Sequence, residues 1–159
     1  MRPTFRFLLH HPAHLLACGL GSGLSPWAPG TAGTLAAWAI YPLLRAPLSD
    51  TAFGLLLLAC FVVGILAIQR TGQALGEVDH GAIVWDEMVP FWFVLWLTPP
   101  GLAWQVLAFA LFRLFDITKP HPAKWVDEHM KTGLGVMLDD TIAAGYTLFC
   151  LAAAHHVLG

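Results

Sequence analysis

Thr51-Ala-Phe-Gly-Leu-Leu-Leu-Leu-Ala-Cys-Phe-Val-Val-Gly-Ile-Leu-Ala-Ile68 runs for 18 residues without a charge. As a helix it would extend about 27 Å, close to the hydrocarbon thickness of a bilayer. A second apolar stretch, Asp139 to Leu158, has two acids at its very start. Thr31 to Leu44, Ile83 to Leu97 and Leu102 to Phe115 are shorter, at 14 or 15 residues each. Each would measure roughly 21–23 Å as a helix, enough to cross if adjoining polar residues continue it into a protein-lined site. The expectation is an all-α, polytopic integral membrane bundle. It would have about five spanning helices and form a single domain over residues 1–159.

Composition agrees. The chain is 57% hydrophobic and 11% charged, with mean hydropathy +0.67. Soluble domains average about 25% charged residues, so there is too little charge here to coat a water-exposed globule, and far too little for a disordered chain. With 8 Lys+Arg against 10 Asp+Glu, there is no basic excess for nucleic acid. The N-terminal stretch begins like a signal peptide, but His10, His11, Pro12 and His14 interrupt its apolar region; an interfacial or partly embedded lead-in helix is expected. Cys18, Cys60 and Cys150 are odd in number and match no metal spacing. None is followed by the Cys-x5-Arg of tyrosine phosphatases, so they read as small buried apolar residues.

Five crossings with a cytoplasmic N-terminus put Arg2, Arg6, Arg70, Arg113, Lys119, Lys124 and Lys131 inside and only Arg45 outside, as the positive-inside rule requires. The acids follow: Asp50 alone is outside. Asp86-Glu87, Asp116 and Asp139-Asp140 adjoin apolar runs on the inner face. Ionisable groups at membrane depth are costly and mark function by default. Asp139 or Asp140 would also serve as a helix N-cap. Carboxylates converging from three helices repel one another; either some are protonated or a cation sits between them. Oxygen ligands favour Mg²⁺ or Mn²⁺ over Zn²⁺, and Mg²⁺ typically takes one or two carboxylates together with a substrate phosphate.

Two further stretches bear on anion binding. Gly19 to Thr34 is rich in Gly, Ser and Thr and leads into a helix N-terminus, although it lacks the Gly-Lys-[Ser/Thr] ending of a P-loop. Arg113-x-x-Asp116-x-x-Lys119-Pro120 puts Arg113 and Asp116 on one helical face. Pro120 ends that helix at Lys119. There Lys119 would either neutralise a phosphate or snorkel to headgroups. Trp27, Trp85, Trp104 and Trp125 lie near expected helix ends, where interfacial anchors sit.

Four blocks in order resemble the phosphatidylglycerophosphatase A family. They are Gly21-Ser-Gly-Leu-Ser-Pro26 with Pro29-Gly-Thr-x-Gly-Thr34; Asp79-His-Gly-Ala-Ile-Val-Trp-Asp-Glu87; Arg113-x-x-Asp116-x-x-Lys119-Pro-x-Pro122; and Gly133-x-Gly-x-Met-Leu-Asp-Asp140-x-x-Ala-Gly145. The resemblance implies a bacterial inner-membrane enzyme with its site facing the cytoplasm. Such an enzyme removes the terminal phosphate of phosphatidylglycerophosphate in a Mg²⁺-dependent reaction, giving phosphatidylglycerol. By position it implies catalytic roles for Asp79, His80, Asp86, Asp116 and Lys119, and metal ligation by Asp86, Glu87, Asp139 and Asp140. Ser22, Ser25, Thr31 and Thr34, with Lys119, would bind the phosphate. Two departures from the family pattern are Pro90 after Met88-Val89, and Thr132 where a glycine is usual. A competing class, a small ion- or proton-coupled transporter, would also carry buried acids; clustering of the acids on one side and the lack of an inverted repeat weigh against it.

Overall fold

The longest apolar run becomes the longest helix because both of its ends are specified. In the computed structural model, which describes residues 2–159, Ser49 caps helix α4 (Asp50–Leu75) by accepting from the Ala52 N–H. Gly76, at φ +81°, closes it in the left-handed conformation that glycine adopts without strain. Before α4 come α1 (Phe5–Leu9), α2 (Pro12–Ala17), a 3₁₀ segment (Gly19–Leu24) and α3 (Pro29–Arg45). After it come α5 (Trp85–Leu97), α6 (Leu102–Thr118), α7 (Ala123–His129) and α8 (Gly133–Leu158). Among the described residues all regular structure is helical, as expected.

Helix α8 starts six residues earlier than its apolar run. Thr132 accepts from the Gly135 N–H as the N-cap, so the departure from the family's glycine supplies the capping oxygen. Asp139 and Asp140 therefore stand inside the helix and do not cap it. Pro90 lies within α5 without ending it; it removes the N–H that would have bonded the Asp86 carbonyl. Two helices, α4 and α8, are long and apolar enough to cross a membrane, fewer than the five spans expected. The others, α3, α5 and α6, have 17, 13 and 17 residues, short of the roughly 20 that a bilayer asks of an unassisted helix.

The centre of the bundle is α5, which touches α3, α4, α6 and α8. Beyond its first turn it is apolar on every side and buried on nearly every side, as a helix surrounded by helices must be. Phe91 packs on Phe112 and Phe109 of α6. The Trp92 indole donates to the Ala37 carbonyl of α3 at 2.8 Å, and the Trp85 indole donates to the Cys60 carbonyl of α4 at 3.1 Å. Trp85 is thus a packing residue and not the interfacial anchor its position suggested. Trp27 and Trp125 are exposed. Helix α6 ends as expected, with Lys119 left-handed at φ +46° ahead of Pro120. The three cysteines are free thiols, and burial pushes Cys18 up to about 11.

The N-terminal lead-in folds onto the bundle. His14, although near the chain start, is buried: its Nδ1 lies 2.9 Å from the Thr71 hydroxyl of α4, and Phe7 stacks on its ring. Burial, with smaller contributions from His11, Arg70 and His10, lowers its pKa below the ordinary 6.5. The folded protein therefore binds fewer protons at His14 than the unfolded chain does. This attachment is fully present above pH 6.5 and weakens as pH falls below it. His14→Ala should cost about 1–3 kcal/mol by leaving Thr71 unpaired. Hydrogen-exchange protection in α1 and α2, taken relative to the intrinsic rate at each pH, should fall in that variant, and in the parent protein at pH 5.5. Unchanged protection in both would refute the anchoring role.

Candidate active site

Three helices bring their acids together at one end of the bundle. Asp86 and Glu87 come from the first turn of α5, Asp116 from the last turn of α6, and Asp139 and Asp140 from the second turn of α8. One carboxylate oxygen from each of Asp86, Glu87 and Asp140 lies within 4.8 Å of the others; the same holds for Asp116, Asp139 and Asp140, and for Asp79, Asp127 and Asp139. Asp86, Asp116, Asp139 and Asp140 are buried, and Asp140 is only 1% exposed.

Two cations answer these charges in part. Arg113 pairs with Asp116, one helical turn away, and reaches Glu87 at 3.6 Å. Lys119 spans both oxygens of Asp139 at 3.0 Å and lies 3.8 Å from Asp116. Burial opposes the Lys119 charge, but Asp140 and Asp139 outweigh it and hold the ammonium above its usual pKa. Its left-handed backbone costs about 1–2 kcal/mol in a non-glycine residue; that conformation accompanies the delivery of the ammonium to Asp139.

What remains is a set of orphaned acceptors. Asp86 Oδ1, Glu87 Oε2 and both oxygens of Asp140 are buried without a hydrogen-bond partner. Buried unpaired carboxylates are costly enough that they take a proton or a cation. The orphaned acceptors are all hard oxygens, and they come from one of the close triads; among the described residues the one orphaned donor beside them is Arg113 Nε. That oxygen set fits Mg²⁺ and not a thiolate- or imidazole-seeking metal.

Asp79 and His80 sit on the loop between α4 and α5. Shielding of the carboxyl from water, followed by the Asp139 charge, pushes Asp79 up to about 7, although the residue keeps an exposed outer side. His80 Nδ1 accepts from the Ala82 N–H at 3.1 Å. Asp127, on α7, completes the third triad and was not among the expected site residues. The Asp in Lys-Trp-Val-Asp-Glu reads as a solvated loop charge, and only the folding of α7 back against α8 brings it to Asp79.

The glycine-rich stretch divides into two parts. The hydroxyls of Ser22, Ser25 and Thr34 donate to nearby carbonyls, those of Gly19, Trp27 and Gly30, each at 2.8 Å. The start of α3 meets the acids directly: a Cβ built on Gly30 would lie 2.7 Å from Glu87 Oε1 and 3.1 Å from Arg113 Nη2. Thr31, next to Gly30, is the third residue of α3, which has no side-chain N-cap. Of the expected phosphate-binding residues, Lys119 contacts the acid cluster directly, and Thr31 is the chain neighbour of Gly30, which meets it.

An all-helical fold that converges paired cations and orphaned carboxylates has the charge pattern of a phosphate-handling site. A sequence model of the phosphatidylglycerophosphatase A family matches residues 15–155. A protein of Haemophilus influenzae named phosphatidylglycerophosphatase A is 42% identical over 156 residues, covering 97% of this chain and 95% of the relative. An Escherichia coli protein of the same name is 38% identical, covering 87% and 80%. A Bacteroides thetaiotaomicron relative, named "putative phosphatidylinositol-3-phosphatase", is 41% identical, covering 91% and 94%. No solved structure matches the chain. The chain belongs to the phosphatidylglycerophosphatase A family and is a phosphoric monoester hydrolase.

Proposed function

We propose that this enzyme hydrolyses the terminal phosphomonoester of phosphatidylglycerophosphate to phosphatidylglycerol, at the cytoplasmic face of a bacterial inner membrane and with Mg²⁺. The observation that carries this reading is the orphaned triad of Asp86, Glu87 and Asp140 beside Arg113 and Lys119, in a chain whose relatives are named for that activity.

Membrane embedding is supported by the long helices themselves. The apolar windows of α4 and α8 are only 28% and 22% buried within the protein, and Leu55, Leu58, Leu66 and Phe149 are exposed. Apolar surface on that scale asks for lipid. The shorter α3, α5 and α6 would cross beside them as a five-helix bundle. Arg2, Arg6, Arg70, Arg113, Lys119, Lys124 and Lys131 then lie on the cytoplasmic side with the acids. A transporter is not favoured, since its acids belong near the midplane.

Asp86, Glu87, Asp139 and Asp140 would hold the metal, with Asp116 supporting it through Arg113 and Lys119. Bound Mg²⁺ would offset charge on the phosphate and lower the pKa of a water. Lys119, Thr31 and the first N–H groups of α3 would bind phosphate oxygens. Ser22, Ser25 and Thr34 would shape that turn. Water adds to phosphorus as Asp79 or His80 takes its proton, the bond from phosphorus to the glycerol oxygen breaks, and that oxygen takes up a proton, returned by the same residue or from solvent water, and leaves as the alcohol.

Phosphate release from phosphatidylglycerophosphate in detergent tests this reading. With Mg²⁺ the purified protein should turn over; in EDTA the rate should fall at least about 100-fold and return when Mg²⁺ is restored. Equal rates in the two conditions would remove the metal. Faster release from phosphatidylinositol 3-phosphate would move the substrate to the inositol lipids.

A further inference from the structure

Beside the acid cluster, a groove of about 260 Å³ opens between α4, α5 and α8. Its walls include Leu58 and Phe61 of α4, Val89, Pro90 and Phe93 of α5, and Ala144 of α8. We infer that this groove holds one acyl chain of the phospholipid whose phosphate occupies the acid cluster. The inference rests on the lipid-phosphatase reading and extends it to the part of the substrate that does not react.

Position is the first reason. Val89 and Pro90 lie one turn beyond Asp86 on the same face of α5, and Ala144 lies one turn beyond Asp140 on α8. From Asp86, the lining of α5 between Val89 and Trp96 runs from about 5 to 15 Å along the helix axis. A terminal phosphate on phosphatidylglycerophosphate is separated from its acyl chains by two glycerol units and a phosphodiester. Tails would therefore begin at that depth and not at the acids themselves.

Chemistry is the second reason. The polar atoms along the groove are turned away from it. The Thr141 hydroxyl donates to the Met137 carbonyl at 2.7 Å, and the Trp96 indole N–H reaches Asp50 at 3.5 Å. Gly54 allows Trp96 to lie against α4: a Cβ there would stand 3.2 Å from the indole edge. Trp96 and Gly54 thus form a far wall. The flank is open, with Leu58 60% exposed and Phe93 37% exposed, so a chain can enter sideways from lipid. The neighbouring apolar depression, lined by Ile142, Gly145, Tyr146 and Phe149, is built by α8 alone and has no opposing wall.

The test uses the full-length protein in detergent and a phosphatidylglycerophosphate bearing a mid-chain diazirine. Crosslinks should map to 54–61 on α4 and 89–96 on α5. Unlabelled phosphatidylglycerophosphate should displace them and phosphatidylcholine should not. Displacement by both lipids, or no labelling of these segments, would overturn the groove as a substrate site. Displaceable labelling without any phosphate release would keep the groove and overturn the hydrolytic reading.

A substitution gives the second readout. Leu58→Trp fills the groove from its exposed edge and should raise KM for a dioleoyl substrate about tenfold. It should leave a dihexanoyl substrate unaffected. Leu55→Trp, at a 62% exposed position outside the groove, should change neither. Equal effects of the two substitutions on the dioleoyl substrate would count against the groove.

Discussion

Asp140→Asn should lower phosphate release by about 100- to 1,000-fold, the range typical of removing one charged contact at a transition state, while the protein becomes no less stable in EDTA. Asp140 is 1% exposed, and neither of its oxygens has a hydrogen-bond partner. It belongs to two of the close carboxylate sets, with Asp86 and Glu87 and with Asp116 and Asp139. Without a metal its negative charge faces those of Asp86 and Asp116 at close range, so neutralising it relieves repulsion. With a cation bound, the same charge becomes an attraction, and its loss weakens binding. Thermal melts should separate these effects. The parent should gain stability on adding Mg²⁺, by about 2.7 kcal/mol at a hundredfold excess over its dissociation constant, and Asp140→Asn should gain little. A variant that is stabilised by Mg²⁺ as fully as the parent would sink Asp140 as a ligand, whatever its activity.

This opposition of signs explains what could be read from the sequence. Thr51 to Ile68 announced α4 because charge-free runs of that length have few other uses. The acids stood out because they interrupted apolar runs. What stayed hidden depends on pairings between distant segments. The first turns of α8 were missed because Gly133 and Gly135 are poor helix formers. The local signal for them was Thr132, a good N-cap residue three positions before Gly135. Arg113 could be placed beside Asp116 by helical spacing alone, but its approach to Glu87 requires α5 and α6 to be neighbours. Asp127 had no sequence signal, since α7 is short and its charges resemble any solvated connector. Trp85 misled for a related reason. Its place at a helix end fits an anchor, yet α5 is the central helix of the bundle, and its first residue packs against α4.

Gly30→Ala should reduce activity by roughly 10- to 100-fold with almost no loss of stability. Alanine suits a helix better than glycine by about 0.5–1 kcal/mol, and Gly30 is the second residue of α3. The added Cβ would nonetheless stand 2.7 and 2.9 Å from the two Glu87 oxygens and 3.1 Å from Arg113. Those atoms terminate flexible side chains, so the fold yields cheaply by swinging the carboxylate aside. Function does not yield so cheaply, because a displacement near 1 Å within a catalytic constellation costs about a hundredfold. Glu87 Oε2 is among the orphaned acceptors, and moving it should also weaken the metal. The Mg²⁺ concentration for half-maximal activity should therefore rise along with the fall in rate. Loss of rate at an unchanged Mg²⁺ requirement would place the effect on phosphate binding at the start of α3. Full activity with alanine would mean that the contact between Gly30 and Glu87 does not serve catalysis, because the crowding at that carboxylate cannot be avoided while both residues hold their positions.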